Sequence, residues 1–288
     1  MMIRARGVAS GMGLLLLGFV LGSTIMSVVT AKDAGEERSP VECDHRSLTA
    51  VLWHRVAAER RALCYQTYAG ARRSLGDALQ MRAGQKPRAI MIDIDDTVID
   101  TSEYQAQRVS SGISYPAGWD NWVNSGSGAL VPGVKEFLLH CESAGVEVLY
   151  VSGRSESLMA GTAAKLKKEK LPFVDREHIV LYDTKKTAGV VCSELSAKYD
   201  IVMYVGDQLD DLCIGGMANI KSRISAVEGG RSMFGATYIV LPNAMYGKWD
   251  AAMYSYDYGL SDIEKRKIRH FWASLTDSKL LEEICGQQ

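Results

Sequence analysis

Residues 89–97, which read Ala-Ile-Met-Ile-Asp-Ile-Asp-Asp-Thr, decide the fold of this chain. Its first part, residues 89–93, is a short apolar run closed by acidic residues, which is typical of a buried strand. Similar runs lie at 146–151, 178–182, 201–205 and 238–241, with helical patterns between them at about 133–144, 155–170, 187–199 and 211–219. Strands that alternate with helices predict an α/β fold, a doubly wound parallel sheet with helices on both faces.

Before the first strand, residues 47–81 carry apolar side chains at helical spacing, with arginines between them. This pattern predicts a long N-terminal helix. The formal net charge is −1, which argues against nucleic acid as a partner, because binders of the phosphate backbone usually carry a basic surplus. The six cysteines show no compact disulfide framework, and we interpret them as small buried residues with one bridge at most.

The first 31 residues have the features of an export segment. Two arginines lie within residues 1–6, residues 7–29 carry no charge, and small residues at 29–31 suit a signal peptidase. The apolar run is also long enough to span a bilayer, so 1–31 is interpreted as a signal peptide or an N-terminal membrane anchor. Either alternative predicts export, to the periplasm or to the outer face of a membrane. No cysteine follows the run in lipid-attachment spacing.

Residues 32–45 are polar and contain glycine and proline, which predicts a linker, and residues 46–288 are expected to form the folded domain. Within that domain, acidic and polar residues follow four of the predicted strands where each ends. They are Asp93 to Asp96, Ser152 to Arg154, residues 183–186, and Gly206 to Asp211. Ligands bind beyond the carboxyl ends of parallel strands. Carboxylates gathered there need a cation, and Mg²⁺ prefers such oxygen ligands and commonly bridges to a phosphate.

These residues carry a resemblance to a known family. Asp93-Ile-Asp95-Asp-Thr97, Ser152 at a strand end, Lys186 and Gly206-Asp207-x-x-x-Asp211 resemble the four motifs of the haloacid-dehalogenase-like (HAD) superfamily. Residues 58–66, 119–123 and 241–250 are similar, more narrowly, to the class C acid phosphatases, the bacterial outer-membrane lipoprotein acid phosphatase/5′-nucleotidase family. The likeness runs from about residue 47 to about residue 270. It implies a HAD-like fold with a helical cap, and a Mg²⁺-dependent phosphomonoesterase.

The resemblance also implies a role for each acidic residue. Asp93 would attack phosphorus and form an aspartyl-phosphate, while Asp95 would protonate the leaving alcohol and later deprotonate the attacking water. Mg²⁺ would be bound by the Asp93 carboxylate, the Asp95 main-chain carbonyl and Asp207, with Asp211 as a further ligand or its support. Asp96 is interpreted as a capping or supporting residue.

The remaining implied roles concern the substrate. Ser152 and Lys186 would hold the phosphate oxygens, although Lys185 is an alternative because the arginine that often follows the family lysine is missing. Trp119 and Tyr246 match residues that sandwich a flat ring, and covering the core is the alternative for both.

The expected substrate is a nucleoside 5′-monophosphate or a similar small phosphomonoester. A phosphotransferase and a catalytically weak surface binding protein on the same fold are the alternative functions. The sequence leaves the oligomeric state open.

Overall fold

The computed structural model describes residues 45–81, 84–183 and 186–285. The predicted export segment 1–31, nearly all of the linker 32–45, and Lys185 lie outside these ranges. Within the described ranges, no helix is both long enough and apolar enough to cross a bilayer.

The core of the domain is a five-stranded parallel sheet in the order β3-β2-β1-β4-β5. Its strands are β1 (Arg88–Ile92), β2 (Glu147–Ser152), β3 (Ile179–Leu181), β4 (Asp200–Gly206) and β5 (Tyr238–Val240). All five predicted strands are confirmed, and each observed end lies within one residue of its predicted position. The strand that carries the acidic motif, β1, is the central one, so β2 and β4 flank its carboxyl end.

The described helices are α1 (His45–Val56), α2 (Ala58–Met81), α3 (Ser102–Ser111), α4 (Trp119–Asn124), α5 (Val134–Ser143), α6 (Met159–Lys168), α7 (Ala188–Lys198), α8 (Ile220–Gly229), α9 (Lys248–Ala251), α10 (Asp262–Ser274) and α11 (Asp277–Cys285). Short 3₁₀ turns lie at Glu156–Leu158, Leu209–Leu212, Arg231–Met233 and Ala252–Tyr254.

Both faces of the sheet are buried, as the alternation of strands and helices predicts. Ala89 and Met91 of β1 pack on the side of α7, whereas Ile90 and Ile92 pack into the larger cluster with α2 and α5. Successive side chains of a strand point to opposite faces, and all four are nearly fully buried. A strand that is apolar on both faces needs helices on both, and β1 has them.

Two helix predictions differ from the structure. The long N-terminal helix is divided into α1 and α2 at Ala57, although the amide of Ala57 still donates to the carbonyl of Trp53 at 3.1 Å. The helix predicted at 211–219 is wrong: the 3₁₀ turn ends at Leu212, and α8 begins only at Ile220. The next helix starts where the Asn219 side chain accepts a hydrogen bond from an amide of its first turn, a local cap that the apolar pattern did not reveal.

Candidate active site

Three carboxylates meet beyond the carboxyl ends of β1 and β4. Asp93 follows β1, Asp207 follows β4, and Asp211 lies in the 3₁₀ turn after it. The amide of Asp93 donates to the carbonyl of Val205 at 2.9 Å, which continues the strand pairing past the end of β1. As a result, one carboxylate oxygen from each of the three aspartates lies within 4.8 Å of the other two.

The electrostatics of this carboxylate cluster favour a cation. Burial, and then the neighbouring carboxylates of Asp211, Asp207 and Asp95, hold the pKa of Asp93 well above its usual range. Burial and the charge of Asp211 do the same to the pKa of Asp207, and burial raises the pKa of Asp211 to about 7. Three hard oxygen donors with surplus negative charge therefore fit a divalent ion such as Mg²⁺.

Side chains from two loops hold the cluster in place. Nδ2 of Asn243 and Nε2 of Gln208 each donate to Oδ2 of Asp207 at 2.7 Å, and the amide of Gln208 donates to Oδ2 of Asp211 at 2.9 Å. A Cβ at Gly206 would lie 2.3 Å from that of Asp211, so the close approach requires glycine. Neither Gln208 nor Asn243 is among the site residues predicted from the sequence. Asn243 lies in segment 241–250, which carries the family resemblance, and that position was the available signal.

Asp95 is held by an arginine that follows β2. Nε and Nη2 of Arg154 donate to the two carboxylate oxygens of Asp95 at 2.9 and 2.6 Å. The guanidinium is itself fixed, because Nη1 donates to Oγ1 of Thr162 at 2.9 Å and the side chain is only 2 % exposed. Arg154 lies in the polar segment that was predicted to follow β2, but no function was predicted for it. Its partner Asp95 is 59 residues away and cannot be found from local spacing.

Asp96 supports the neighbouring elements rather than joining the carboxylate cluster. Its backbone has a φ of 57°, and its carboxylate accepts hydrogen bonds from the amide and hydroxyl of Thr101. The hydroxyl of Tyr246 donates to the same carboxylate at 2.6 Å, and Nε2 of His54 lies 3.2 Å away. Asp96 thus links Tyr246, which is expected to contact the substrate, to His54 of α1 and to Thr101 at the start of α3.

The two predicted phosphate-binding residues occupy different surroundings. Ser152 ends β2 at the same edge of the sheet, is 2 % exposed, and accepts a hydrogen bond from the amide of Arg154 at 3.3 Å. Lys186 precedes α7 and donates to both carboxylate oxygens of Glu194 at 2.7 and 2.8 Å, with 47 % of its side chain exposed. The structure therefore shows Ser152 beside the site residues and Lys186 on an exposed ion pair.

Trp119 lies in a crowded aromatic cluster. Only 7 % of the residue is exposed, Trp122 stacks on it with ring centroids 5.3 Å apart, and Tyr104 meets it edge-on at 5.0 Å. The guanidinium of Arg154 also lies over its ring, 5.5 Å from the centroid. Little of the ring is free, which favours the alternative that Trp119 covers the core.

A disulfide joins α7 to the segment that follows Asp211. Cys192 of α7 is bonded to Cys213, two residues after Asp211, with Cα atoms 6.0 Å apart. Cys192 also lines the pocket that contains Asp93 and Asp211. Within the described residues, Cys64 and Cys141 are free and buried, so the interpretation of buried cysteines with at most one bridge agrees with this part of the chain.

Comparisons with known proteins identify the family to which this chain belongs. Residues 20–249 match the family model for the HAD superfamily, subfamily IIIB (acid phosphatase). The structure of the class C acid phosphatase from Bacillus anthracis is 37 % identical, covers 82 % of this chain and 99 % of its own, and superposes with a TM-score of 0.78. The same enzyme with tungstate bound is 37 % identical over 81 % of this chain and 97 % of its own, with a TM-score of 0.76.

The resemblance found in the sequence is thereby confirmed, and so is the HAD-like fold. The match covers β1 to β5 and every residue assigned to the site, since it extends from residue 20 to residue 249. This chain belongs to the acid phosphatases of HAD subfamily IIIB, and it is a phosphomonoesterase.

Proposed function

We propose that this chain is an exported, Mg²⁺-dependent acid phosphatase that hydrolyses nucleoside 5′-monophosphates or similar esters through an aspartyl-phosphate. The cluster of Asp93, Asp207 and Asp211, with one oxygen of each within 4.8 Å of the others, is the observation that carries the metal-dependent chemistry. Repulsion between these buried carboxylates costs folding free energy unless a cation binds, so the arrangement is suited to a metal-dependent function.

The proposed metal ligands are the carboxylates of Asp93, Asp207 and Asp211 and the main-chain carbonyl of Asp95. When bound there, Mg²⁺ would offset the negative charge of the phosphate and of the carboxylates. The B. anthracis enzyme was solved with tungstate bound, and tungstate is a tetrahedral oxyanion like phosphate. That likeness supports an oxyanion site in this chain as well.

The first chemical step is carried by Asp93. Its carboxylate oxygen forms a bond to phosphorus while the bond between phosphorus and the ester oxygen breaks, and Asp95 gives its proton to the leaving alcohol. Water then attacks phosphorus, the bond between phosphorus and the Asp93 oxygen breaks to regenerate the carboxylate, and Asp95 takes the proton that the water loses. Each oxygen of Asp95 accepts one hydrogen bond from Arg154 in the structure, which leaves a second lone pair on each oxygen for the proton that is transferred.

Ser152 and Lys186 are proposed to hold the phosphate oxygens. The Ser152 hydroxyl lies at the end of β2 and accepts a hydrogen bond from the amide of Arg154, and its own proton would be donated to a phosphate oxygen. Lys186 would have to exchange Glu194 for phosphate. That exchange costs little, since an exposed ion pair contributes only about 0.2–1 kcal/mol.

A direct experiment compares the full chain with the variant Asp93→Asn. Hydrolysis of AMP, nicotinamide mononucleotide and p-nitrophenyl phosphate would be measured with Mg²⁺ and with EDTA. We expect turnover by the wild type with Mg²⁺ alone, and a loss of more than about 10³-fold in the variant. Equal turnover by both proteins would contradict the nucleophile, and full activity in EDTA would contradict the metal. Transfer of phosphate to an added alcohol would identify the phosphotransferase alternative.

Export is proposed from residues 1–31, where a charged start, an uncharged run and small residues follow one another. The test is fractionation of producing cells, followed by N-terminal sequencing of the recovered protein. A periplasmic protein that begins near residue 32 would support a cleaved signal peptide, whereas an intact chain in the membrane fraction would support an anchor. Recovery of the intact chain from the cytosol would contradict export.

A further inference from the structure

We propose that the two N-terminal helices, α1 and α2, hold the catalytic residues in place, and that His54 is the positioning residue that does so through Asp96. The segment that they hold is residues 95–100, the acidic turn, which follows β1 and begins with Asp95. The inference rests on the proposed function, because the atom that it concerns is the main-chain carbonyl of Asp95, a proposed Mg²⁺ ligand. It gives a role to two helices that supply none of the predicted site residues.

Two side chains of α2 bind the acidic turn. Nη1 of Arg60 donates to Oδ2 of Asp100 at 2.7 Å, and the hydroxyl of Tyr68 donates to the main-chain carbonyl of Thr97 at 2.6 Å. Both Arg60 and Tyr68 are nearly fully buried. Losing either hydrogen bond is therefore costly, because a buried group that loses its partner has no water to replace it.

His54 adds a contact from α1, where it faces two carboxylates. Its Nε2 lies 3.2 Å from Oδ1 of Asp96 and 3.9 Å from Oδ1 of Asp100, and the side chains of His54 and Asp96 are fully buried. Burial alone would raise the pKa of Asp100, but the charge of Arg60 and hydrogen bonds from Ser102 lower it, so Asp100 is ionised. A nitrogen lone pair directed at these oxygens would be repelled, and Nε2 therefore carries a proton there.

Asp96 is the residue through which this support reaches the metal site. Its φ of 57° lies in the left-handed region, which is less favourable for an aspartate than the right-handed one. Rotation about φ of Asp96 turns the peptide plane that carries the carbonyl of Asp95. The Asp96 carboxylate is held by Thr101, Tyr246 and His54. The direction of the Asp95 carbonyl thus depends on how firmly these groups hold Asp96.

The carboxylates of the metal cluster have a separate support. Gln208 and Asn243 donate to Asp207 from the segments that follow β4 and β5. A change at His54 removes no proposed ligand and leaves both hydrogen bonds in place. Its effect on Mg²⁺ affinity would therefore have to pass through the acidic turn and the carbonyl of Asp95.

The experiment replaces His54 in the full chain and measures Mg²⁺ binding by isothermal titration calorimetry, together with kcat for p-nitrophenyl phosphate at saturating Mg²⁺. In His54→Leu we expect the dissociation constant of Mg²⁺ to rise about tenfold and kcat to fall at least about tenfold. His54→Gln keeps an N–H donor near the position of Nε2 and should recover most of both losses. His140→Leu is the matched control, since His140 lies on α5 and its charged neighbour is Arg72.

Tyr68→Phe tests the same support if His54→Leu does not fold, because it removes only the hydroxyl that binds the carbonyl of Thr97. We expect the dissociation constant of Mg²⁺ to rise about 2- to 10-fold in this variant, the effect of one hydrogen bond. Urea unfolding of each variant measures the accompanying change in stability. That measurement separates a weaker fold from a displaced metal ligand.

The outcomes also separate this inference from the function it rests on. A wild-type protein that binds no Mg²⁺ and hydrolyses no ester overturns the proposed function. If the wild type is active and binds Mg²⁺, the positioning role is overturned when His54→Leu and Tyr68→Phe lose stability but keep the wild-type Mg²⁺ affinity and kcat. It is also overturned if His54→Gln is as impaired as His54→Leu, or if His140→Leu weakens Mg²⁺ binding as much.

Discussion

The guanidinium of Arg154 donates two hydrogen bonds to the carboxylate of Asp95, from Nε at 2.9 Å and from Nη2 at 2.6 Å. A lysine has a point charge on a flexible stem and cannot reproduce this fork. Arg154 is thus a positioning residue for Asp95. Its effect on the reaction should appear where protonation of the leaving group limits the rate.

Arg154→Lys should therefore slow esters with poor leaving groups more than esters with good ones. We expect kcat for ethyl phosphate to fall about 10²-fold and kcat for p-nitrophenyl phosphate to fall less than about tenfold, since nitrophenolate leaves without full protonation. Steady-state kinetics with both esters provides the measurement. Arg176→Lys, an exposed arginine, is the control. An equal loss on both esters would indicate general damage to the site instead.

Asp211→Asn should stabilise the metal-free protein at neutral pH and weaken its response to Mg²⁺. Burial raises the pKa of Asp211 to about 7 from an ordinary value of 3.8, so the folded state binds a proton more tightly than the unfolded state does. Stability of the metal-free wild type should accordingly fall as the pH rises from about 4 to about 7. The variant does not lose stability in this way, so the unfolding free energy of the variant minus that of the wild type should increase between about pH 4 and about pH 7.

Urea unfolding in EDTA at several pH values measures this difference, and Asp77→Asn on the exposed face of α2 is the control. With saturating Mg²⁺ the wild type should be more stable than the variant, because the wild type gains binding free energy that the variant lacks. A variant that is less stable than the wild type in EDTA at pH 8 would contradict the argument that the buried charge of Asp211 destabilises the metal-free protein.

Gly206→Ala should lower the affinity for Mg²⁺ without removing any ligand. The added Cβ would lie 2.3 Å from Cβ of Asp211 and must displace that side chain. We expect the dissociation constant, measured by isothermal titration calorimetry, to rise about 10- to 100-fold. Gly215→Ala provides the matched control, since its Cβ would meet no atom within 4 Å. Equal affinity in the two variants would show that Asp211 contributes little to the site.

Cys192→Ser combined with Cys213→Ser should lower both stability and metal affinity. The bridge closes a loop of 21 residues, for which the chain-entropy account gives about 3 kcal/mol of unfolding free energy. The metal effect follows because Cys213 lies two residues after Asp211 and anchors that turn to α7. Denaturant unfolding and calorimetry measure the two effects. Treating the wild type with a reductant should reproduce both, and a wild type unaffected by the reductant would indicate that the bridge plays no part.

The sequence alone determined the sheet and its acidic edge. Short apolar runs closed by Asp, Ser, Gly or Pro are local signals, so they located all five strands to within one residue and predicted that Asp93 and Asp207 lie at strand ends on one edge of the sheet. The carboxylate cluster follows from that topology, because the carboxyl ends of neighbouring parallel strands lie at the same edge. The helix expected at 211–219 was wrong because a side-chain cap at Asn219, not periodicity, sets the helix start.

Only the tertiary structure decided which side chains support and cover the site. The hydroxyl of Tyr246 meets Asp96 from 150 residues away, and Arg154 reaches Asp95 from 59 residues away. The exposure of Trp119 depends in the same way on helices and loops packed around it. Such contacts depend on how distant elements pack rather than on local spacing, and the free surface of each aromatic ring is what remains after that packing is complete.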